Sequence, residues 1–163
     1  MRAVRYYGQK DIRVEKIDAP VAGEGEVLID IAWCGICGTD LHEYVDGPIF
    51  VPPCGHPNPV SGEAAPLTIG HKMSGVVAAV GAGVDDLQVG DHVVVEPYII
   101  ADDVDTGPAS TDYHLSPNMN FIGLGGRGAT HDHAAGHVHL QVGAQQLGVG
   151  RRDHPVLRAR GDQ

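Results

Sequence analysis

The clearest alternation of apolar and polar residues runs from Glu26 to Cys34. Val27, Ile29, Ile31 and Trp33 fall on one face and Asp30 on the other. A period of two is that of a half-buried strand, and this strand leads directly into Cys34-Gly35-Ile36-Cys37. Residues 2–6 and 11–17 alternate in the same way, with Gly8-Gln9-Lys10 as the turn between them. Pro20 to Gly25 reads as a loop. Thr39 to Tyr44 predicts a short helix, stopped by Gly47-Pro48. Six of the eleven prolines lie between Pro48 and Pro66, which predicts a long surface loop. Ser74 to Gly81 reads as a buried strand and Asp91 to Glu96 as another, separated by Gly-rich turns. Many short strands at close spacing predict a mainly β fold. A closed or partly closed barrel fits better than a βαβ array.

The vocabulary changes after Gly128. The segment 129–163 carries five His and four Arg and has no Glu, Lys, Ile, Phe, Tyr, Trp, Met, Cys, Ser or Asn. Without large apolar anchors it is expected to be disordered. A shifted reading frame in GC-rich DNA would produce the same abrupt change. The expected division is therefore a domain over 1–128 and an atypical His/Arg-rich tail over 129–163. His131, His133, His137 and His139 could collect adventitious metal.

Composition narrows the function classes. The 163 residues carry a formal net charge of −10, which argues against nucleic acid or an anionic membrane surface as partner. No apolar run approaches the ~20 residues of a membrane span. Three cysteines are too few for a secreted disulfide framework and fit a cytoplasmic protein with functional thiols. Positive charge is unevenly placed. Between Lys16 and Arg127, Lys72 is the only Lys or Arg.

The candidate chemistry lies in two stretches. Trp33 to His42 offers two thiols, a hydroxyl and an imidazole, and Gly70-His71-Lys72 offers a second imidazole beside a lysine. Cys and His drawn together from distant positions suggest a metal or redox site. Trp33 is expected in the core, Cys54 and His56 on an exposed loop, and His92 and His114 at the surface or in turns. Glu96 reads as a structural acid.

Three blocks carry a family resemblance: Gly35-Ile36-Cys37-Gly38-Thr39-Asp40-Leu41-His42, then Gly70-His71 with Gly75-Val76-Val77, Val80-Gly81 and Gly83-Val84, then Val89-Gly90-Asp91 with Val93. In this order the chain resembles the N-terminal catalytic domain of zinc-dependent medium-chain alcohol dehydrogenases, over residues 1 to about 128. The 2,3-butanediol and sorbitol branch resembles it most closely, through the Pro-rich loop and Val95-Glu96-Pro97. The resemblance implies a GroES-like β-barrel. It implies a cytoplasmic oxidoreductase, a homo-oligomer in the family, that moves hydride between NAD and a small alcohol, diol or ketone. Cys37 resembles the thiolate ligand of the catalytic zinc and His71 its imidazole ligand. Thr39 resembles the hydroxyl that takes the substrate proton, His42 the relay that passes it on, and Asp40 a support behind the ligands.

Three departures bear on activity. Lys72 stands where the family has glutamate directly after the motif histidine, and its charge is expected to weaken the metal site. No cysteine follows Cys54, so the family's structural zinc lobe has no thiolates; Val104, Gly107 and Ser116 stand near where they would be. The nucleotide-binding Rossmann domain and the polyol branch's third metal ligand are expected to be absent from this chain, which alone is expected to be inactive. Gly123-Leu124-Gly125-Gly126-Arg127-Gly128 matches G-x-G-x-x-G, but is followed by the His-rich tail and not by a helix, strand and acidic residue. Two other readings stay open. One is a non-catalytic GroES-like fragment or interaction module. The other is a thiol-disulfide oxidoreductase built on Cys34-Gly35-Ile36-Cys37, which the early stop of the helix opposes.

Overall fold

A computed structural model describes residues 1–99, 115, 117, 120–126 and 128, and the backbone of 137–141 and 147–150. Val104, Gly107, His114, Ser116, His131 and His133 lie outside the described residues.

The fold is mainly β, with one short helix among the described residues. The elements are β1 (Arg2–Gly8), β2 (Asp11–Lys16), β3 (Glu26–Gly35), α1 (Gly38–Asp46), β4 (Leu67–Thr68), β5 (Lys72–Val80), β6 (His92–Val95), β7 (Tyr98–Ile99), β8 (Asn120–Phe121), β9 (His137–Gln141) and β10 (Leu147–Gly150). They form a three-stranded sheet β2-β1-β4, a five-stranded sheet β10-β6-β5-β3-β9 and a two-stranded sheet β7-β8. Every strand pair is antiparallel.

Two apolar clusters hold these sheets. Val27, Ile29 and Ile31 of β3 meet Met73 and Val77 of β5 and Val93 and Val95 of β6, with Leu87 and Ile122 closing the cluster. Tyr6, Val51, Ala65, Leu67 and Leu124 form the second. Each fully buried Val, Leu or Ile contributes about 1.5–3 kcal/mol relative to exposure. Ile122 belongs to one cluster and Leu124 to the other, so the turn after β8 spans both. Between β4 and β5 the chain passes from one sheet to the next through Ile69-Gly70-His71.

The alternation of β3 holds up to Ile31 and then breaks. Ile31 pairs with Gly75 but Trp33 pairs with Ser74, so Ala32 is an extra residue in the ladder. Such a bulge reverses which face each later side chain takes. Trp33 is consequently 76% exposed, contrary to the expectation that it packs in the core. Cys34 takes the inward position and packs against the first cluster.

Two stretches after Gly128 have described backbone, β9 and β10. The backbone of β9 pairs with Glu26–Asp30 and that of β10 with His92–Val95. Unpaired edges of β3 and β6 supply ladder hydrogen bonds to any extended partner, and this requires no large side chains. The Pro-rich loop is internally tied. Asn58 Oδ1 accepts the N–H groups of Val60 and Ser61, and Ala65 donates to the Pro52 carbonyl. Cys54 and His56 are exposed on it.

Candidate metal centre

The two candidate ligands arrive from different sheets' ends. Cys37 is the N-cap of α1 and follows directly from β3. Helix N-termini leave unpaired N–H groups that favour anions. Cys37 and Asp40 cap this one reciprocally: the sulfur faces the Asp40 N–H, and Asp40 Oδ2 accepts the Cys37 N–H at 2.9 Å. His71 lies at the crossover between β4 and β5, where Gly70 takes φ of 104°.

These elements bring the imidazole to the thiol. His71 Nε2 is 3.1 Å from Cys37 Sγ. On the far side of the ring, His71 Nδ1 is 3.3 Å from Asp40 Oδ1. That pair is close enough for an ion pair but not aligned as a hydrogen bond. His71 and Asp40 are 4% and 7% exposed, so both charges are out of water. Donor atoms of Cys37, Asp40 and His71 all lie within 4.8 Å of one another.

The environment tunes all three groups. Burial alone would push the Cys37 thiol up, but the Thr39 hydroxyl, the Asp40 and Thr39 N–H groups and His71 outweigh it and hold the thiol below its usual range. Burial likewise opposes ionisation of Asp40, yet His71 and the Cys37 N–H hold its carboxyl low. The Asp40 carboxylate raises His71 against burial, and Lys72 lowers it again in part.

The donor set fits zinc in part. A thiol biased toward thiolate and an imidazole with Nε2 turned to it are common zinc ligands, and a carboxylate behind the other ring nitrogen is the usual orienting partner. Lys72 does not fit, because it adds a cation next to the imidazole ligand. Thr39, half-buried, touches the Cys37 sulfur. His42 is further out on α1. Its side chain is exposed and lies 3.3 Å from Asp46 across one helical turn. Cys34 and Cys37 form no disulfide.

Beside His71 an open cleft of about 440 Å³ is lined by Trp33, Lys72, Ser74, Val94 and Pro97. Phe121 walls another side of the imidazole, with ring centroids 5.8 Å apart. Phe50 meets Phe121 edge-to-face and Tyr98 lies tilted over it.

Two features escaped the sequence reading. Glu43 is only 1% exposed, and its Oε1 accepts the N–H groups of Ile49, Phe50 and Val51. It sits three residues after Asp40, so α1 buries two of its three carboxylates, leaving Asp46 exposed. Leu41, Tyr44 and Val45 are left outside. The available signal was the i, i+3 spacing of two acids on one face. The second feature is the Gly-rich run. Gly123, at φ of 79°, packs its α-carbon against the Gly70 backbone, where any Cβ would clash. Gly128 donates to the Thr68 carbonyl at 2.7 Å. The run buttresses the residue that delivers His71.

Comparison with known proteins follows the same lines. The family model for the alcohol dehydrogenase GroES-like domain matches residues 23–146. The match extends past Gly128. An (R,R)-butanediol dehydrogenase of Neisseria gonorrhoeae is 66% identical over 128 residues, covering 78% of this chain and 36% of that protein. The (R,R)-butanediol dehydrogenase of Bacillus subtilis is 50% identical over 128 residues, covering 78% and 35%. In the crystal structure of 2R,3R-butanediol dehydrogenase from Bacillus subtilis, a region 42% identical superposes with a TM-score of 0.78 and covers 93% of this chain and 41% of that one. The chain thus spans about a third of the length of the curated relatives it matches.

Proposed function

The chain belongs to the alcohol dehydrogenase GroES-like domain family, and on that premise we propose that it forms the zinc-binding catalytic part of an NAD-dependent alcohol or diol dehydrogenase. The observation that carries this reading is the 3.1 Å approach of Cys37 Sγ to His71 Nε2 with Asp40 behind the imidazole. Butanediol dehydrogenases among its relatives favour a secondary alcohol or vicinal diol, with the corresponding ketone as product.

When bound, zinc polarises an alcohol oxygen and lowers its pKa. Cys37 and His71 would hold it, and Asp40 would fix the imidazole's orientation and proton position. The Thr39 hydroxyl, already against the Cys37 sulfur, accepts the substrate's proton. His42, exposed beside Asp46, passes that proton to solvent. A third ligand and the nicotinamide site are assigned to the part of the relatives' length that this chain does not span. Lys72 lowers the affinity of this site for the metal.

Zinc content and affinity of the purified chain test this reading. Lys72→Glu should raise zinc affinity by roughly 10–100-fold, the usual scale for groups that support a metal ligand. Cys37→Ala and His71→Ala should abolish stoichiometric binding. Zinc binding unaffected by both ligand substitutions would remove the assignment. Stoichiometric zinc held equally well by wild type and Lys72→Glu would refute the charge argument.

A further inference from the structure

Strand β2 is the outermost strand of its sheet. Met1 and Ile17 exchange both of their backbone hydrogen bonds, each at 2.9 Å. In an antiparallel ladder such pairs alternate with pairs that exchange none. Ala3 stands opposite Glu15 and Val4 opposite Val14. The odd-numbered residues of β2 therefore bond to β1, while Ile12, Val14 and Lys16 turn their N–H and C=O groups away from it. The other flank of β1 agrees. The Val4 carbonyl accepts the Ile69 N–H, so the even-numbered residues of β1 point away from β2. Among the described residues no backbone group pairs with the outer edge of β2. That edge is apolar as well as open. Val14 is 67% exposed and Ile12 36%, and both share the sheet face that carries Tyr6. An unpaired edge of this kind is a template for another strand.

We infer that β2 is a docking edge for a second copy of this chain, with the two β2 strands antiparallel about a two-fold axis at Val14. In this register Val14 meets Val14, and Ile12 meets Lys16 of the second copy. Every outward N–H and C=O of Ile12, Val14 and Lys16 then finds a partner. Charge selects the register. Arg13 stands opposite Glu15 of the second copy, and Glu15 opposite its Arg13. An axis at Arg13 would oppose Arg13 to Arg13 and Asp11 to Glu15, and an axis at Glu15 would oppose Glu15 to Glu15. Like charges directly opposite are destabilising. Charges that ordinarily blunt a sheet edge thus favour one isologous pairing here. The Arg13 guanidinium lies over the Tyr7 ring and donates to Asp11, and Glu15 accepts the Tyr7 hydroxyl. Both side chains are therefore already held on the face where they would meet their counterparts. The inference does not depend on the metal assignment.

Sedimentation equilibrium of the purified chain tests it. The expected result is a reversible equilibrium between monomer and dimer. Val14→Pro removes the central outward N–H, which no bond to β1 uses, and should weaken the dimer roughly tenfold or more. Its circular dichroism should match that of wild type. Arg13→Glu alone and Glu15→Arg alone should each weaken self-association, because each sets like charges opposite one another. An equimolar mixture of those two variants should recover it, since the introduced carboxylate and guanidinium then face each other. Loss of fold in either variant cannot mimic that recovery. A wild-type chain that stays monomeric up to about 1 mM overturns the inference. So does a dimer that Val14→Pro leaves unchanged, which would place the contact on another surface. A mixture no more associated than its two components overturns it as well.

Discussion

Replacing Glu43 by alanine should be among the most damaging single changes in this chain. The carboxylate is buried in the C-terminal half of α1, where the helix dipole disfavours negative charge. It is retained because Oε1 accepts three consecutive N–H groups, from Ile49, Phe50 and Val51. Alanine frees all three. Ile49 and Phe50 are exposed enough for water to replace the lost acceptor, but Val51 is 2% exposed and its N–H would stay unpaired. An unsatisfied buried donor costs about 1–3 kcal/mol and a lost charged hydrogen bond about 1.5–3 kcal/mol. Glu43→Ala should then lose roughly 3–5 kcal/mol of unfolding free energy. Glu43→Gln keeps an oxygen able to accept the same three N–H groups and should lose only about 1–2 kcal/mol. Urea denaturation followed by circular dichroism measures both, with an unchanged m-value as the check that the two-state comparison holds. A loss under about 1 kcal/mol for Glu43→Ala, or equal losses for the two variants, would refute the account of Oε1 as the anchor.

Three further outcomes follow from the same geometry. The Tyr6 hydroxyl is buried and donates to the Glu43 carbonyl at 3.0 Å. Burial and the nearby Glu43 charge raise its pKa from 10.0 to about 12. The folded chain thus keeps a proton that the unfolded chain loses in that window. This contribution to stability is fully present below pH 10.0 and lost as pH rises through about 12. Tyr6→Phe should remove that alkaline slope in pH-dependent denaturation; an unchanged slope would contradict it. Gly123→Ala combines a left-handed backbone with a clash against Gly70 and should cost roughly 2 kcal/mol or more by denaturation, whereas a loss below about 0.5 would refute the buttress. The Asp40 carboxylate raises His71, so protons compete with metal over a wider pH range. Asp40→Asn should move the pH midpoint of zinc loss downward and weaken the plateau affinity, and an unmoved midpoint would exclude Asp40 as the cause.

How far the chain was legible depends on whether local pattern or distant contact decides a residue's place. Val27, Ile29 and Ile31 alternate because each faces the core, and the period of two reads this directly. The hairpin at Lys10, with φ of 60°, and the helix stop at Gly47 are local chemistry and were equally readable. Trp33 was not, because a single extra residue in the ladder inverts its face and no propensity marks the insertion. The pairing of Cys37 with His71 followed from family resemblance. Spacing alone leaves a dithiol or a metal site equally open. Glu43 and Gly123 were missed for a common reason. Their partners, Val51 in the loop and Gly70 at the crossover, are fixed only by tertiary packing. The backbone pairing of β9 and β10 depends on free sheet edges, which composition does not register.

The dependence of Gly70 on Gly123 and Gly128 has a consequence for synthesis. A nascent chain emerges from its N-terminus, so Cys37 and His71 leave the ribosome well before the residues that wedge Gly70 into place. At about 5–20 residues per second, that interval is on the order of several seconds. During it the thiol and the imidazole are separate, unorganised groups on a partly folded chain. The meeting of this thiol and imidazole is therefore a late event in the life of the polypeptide, following release of the turn after β8.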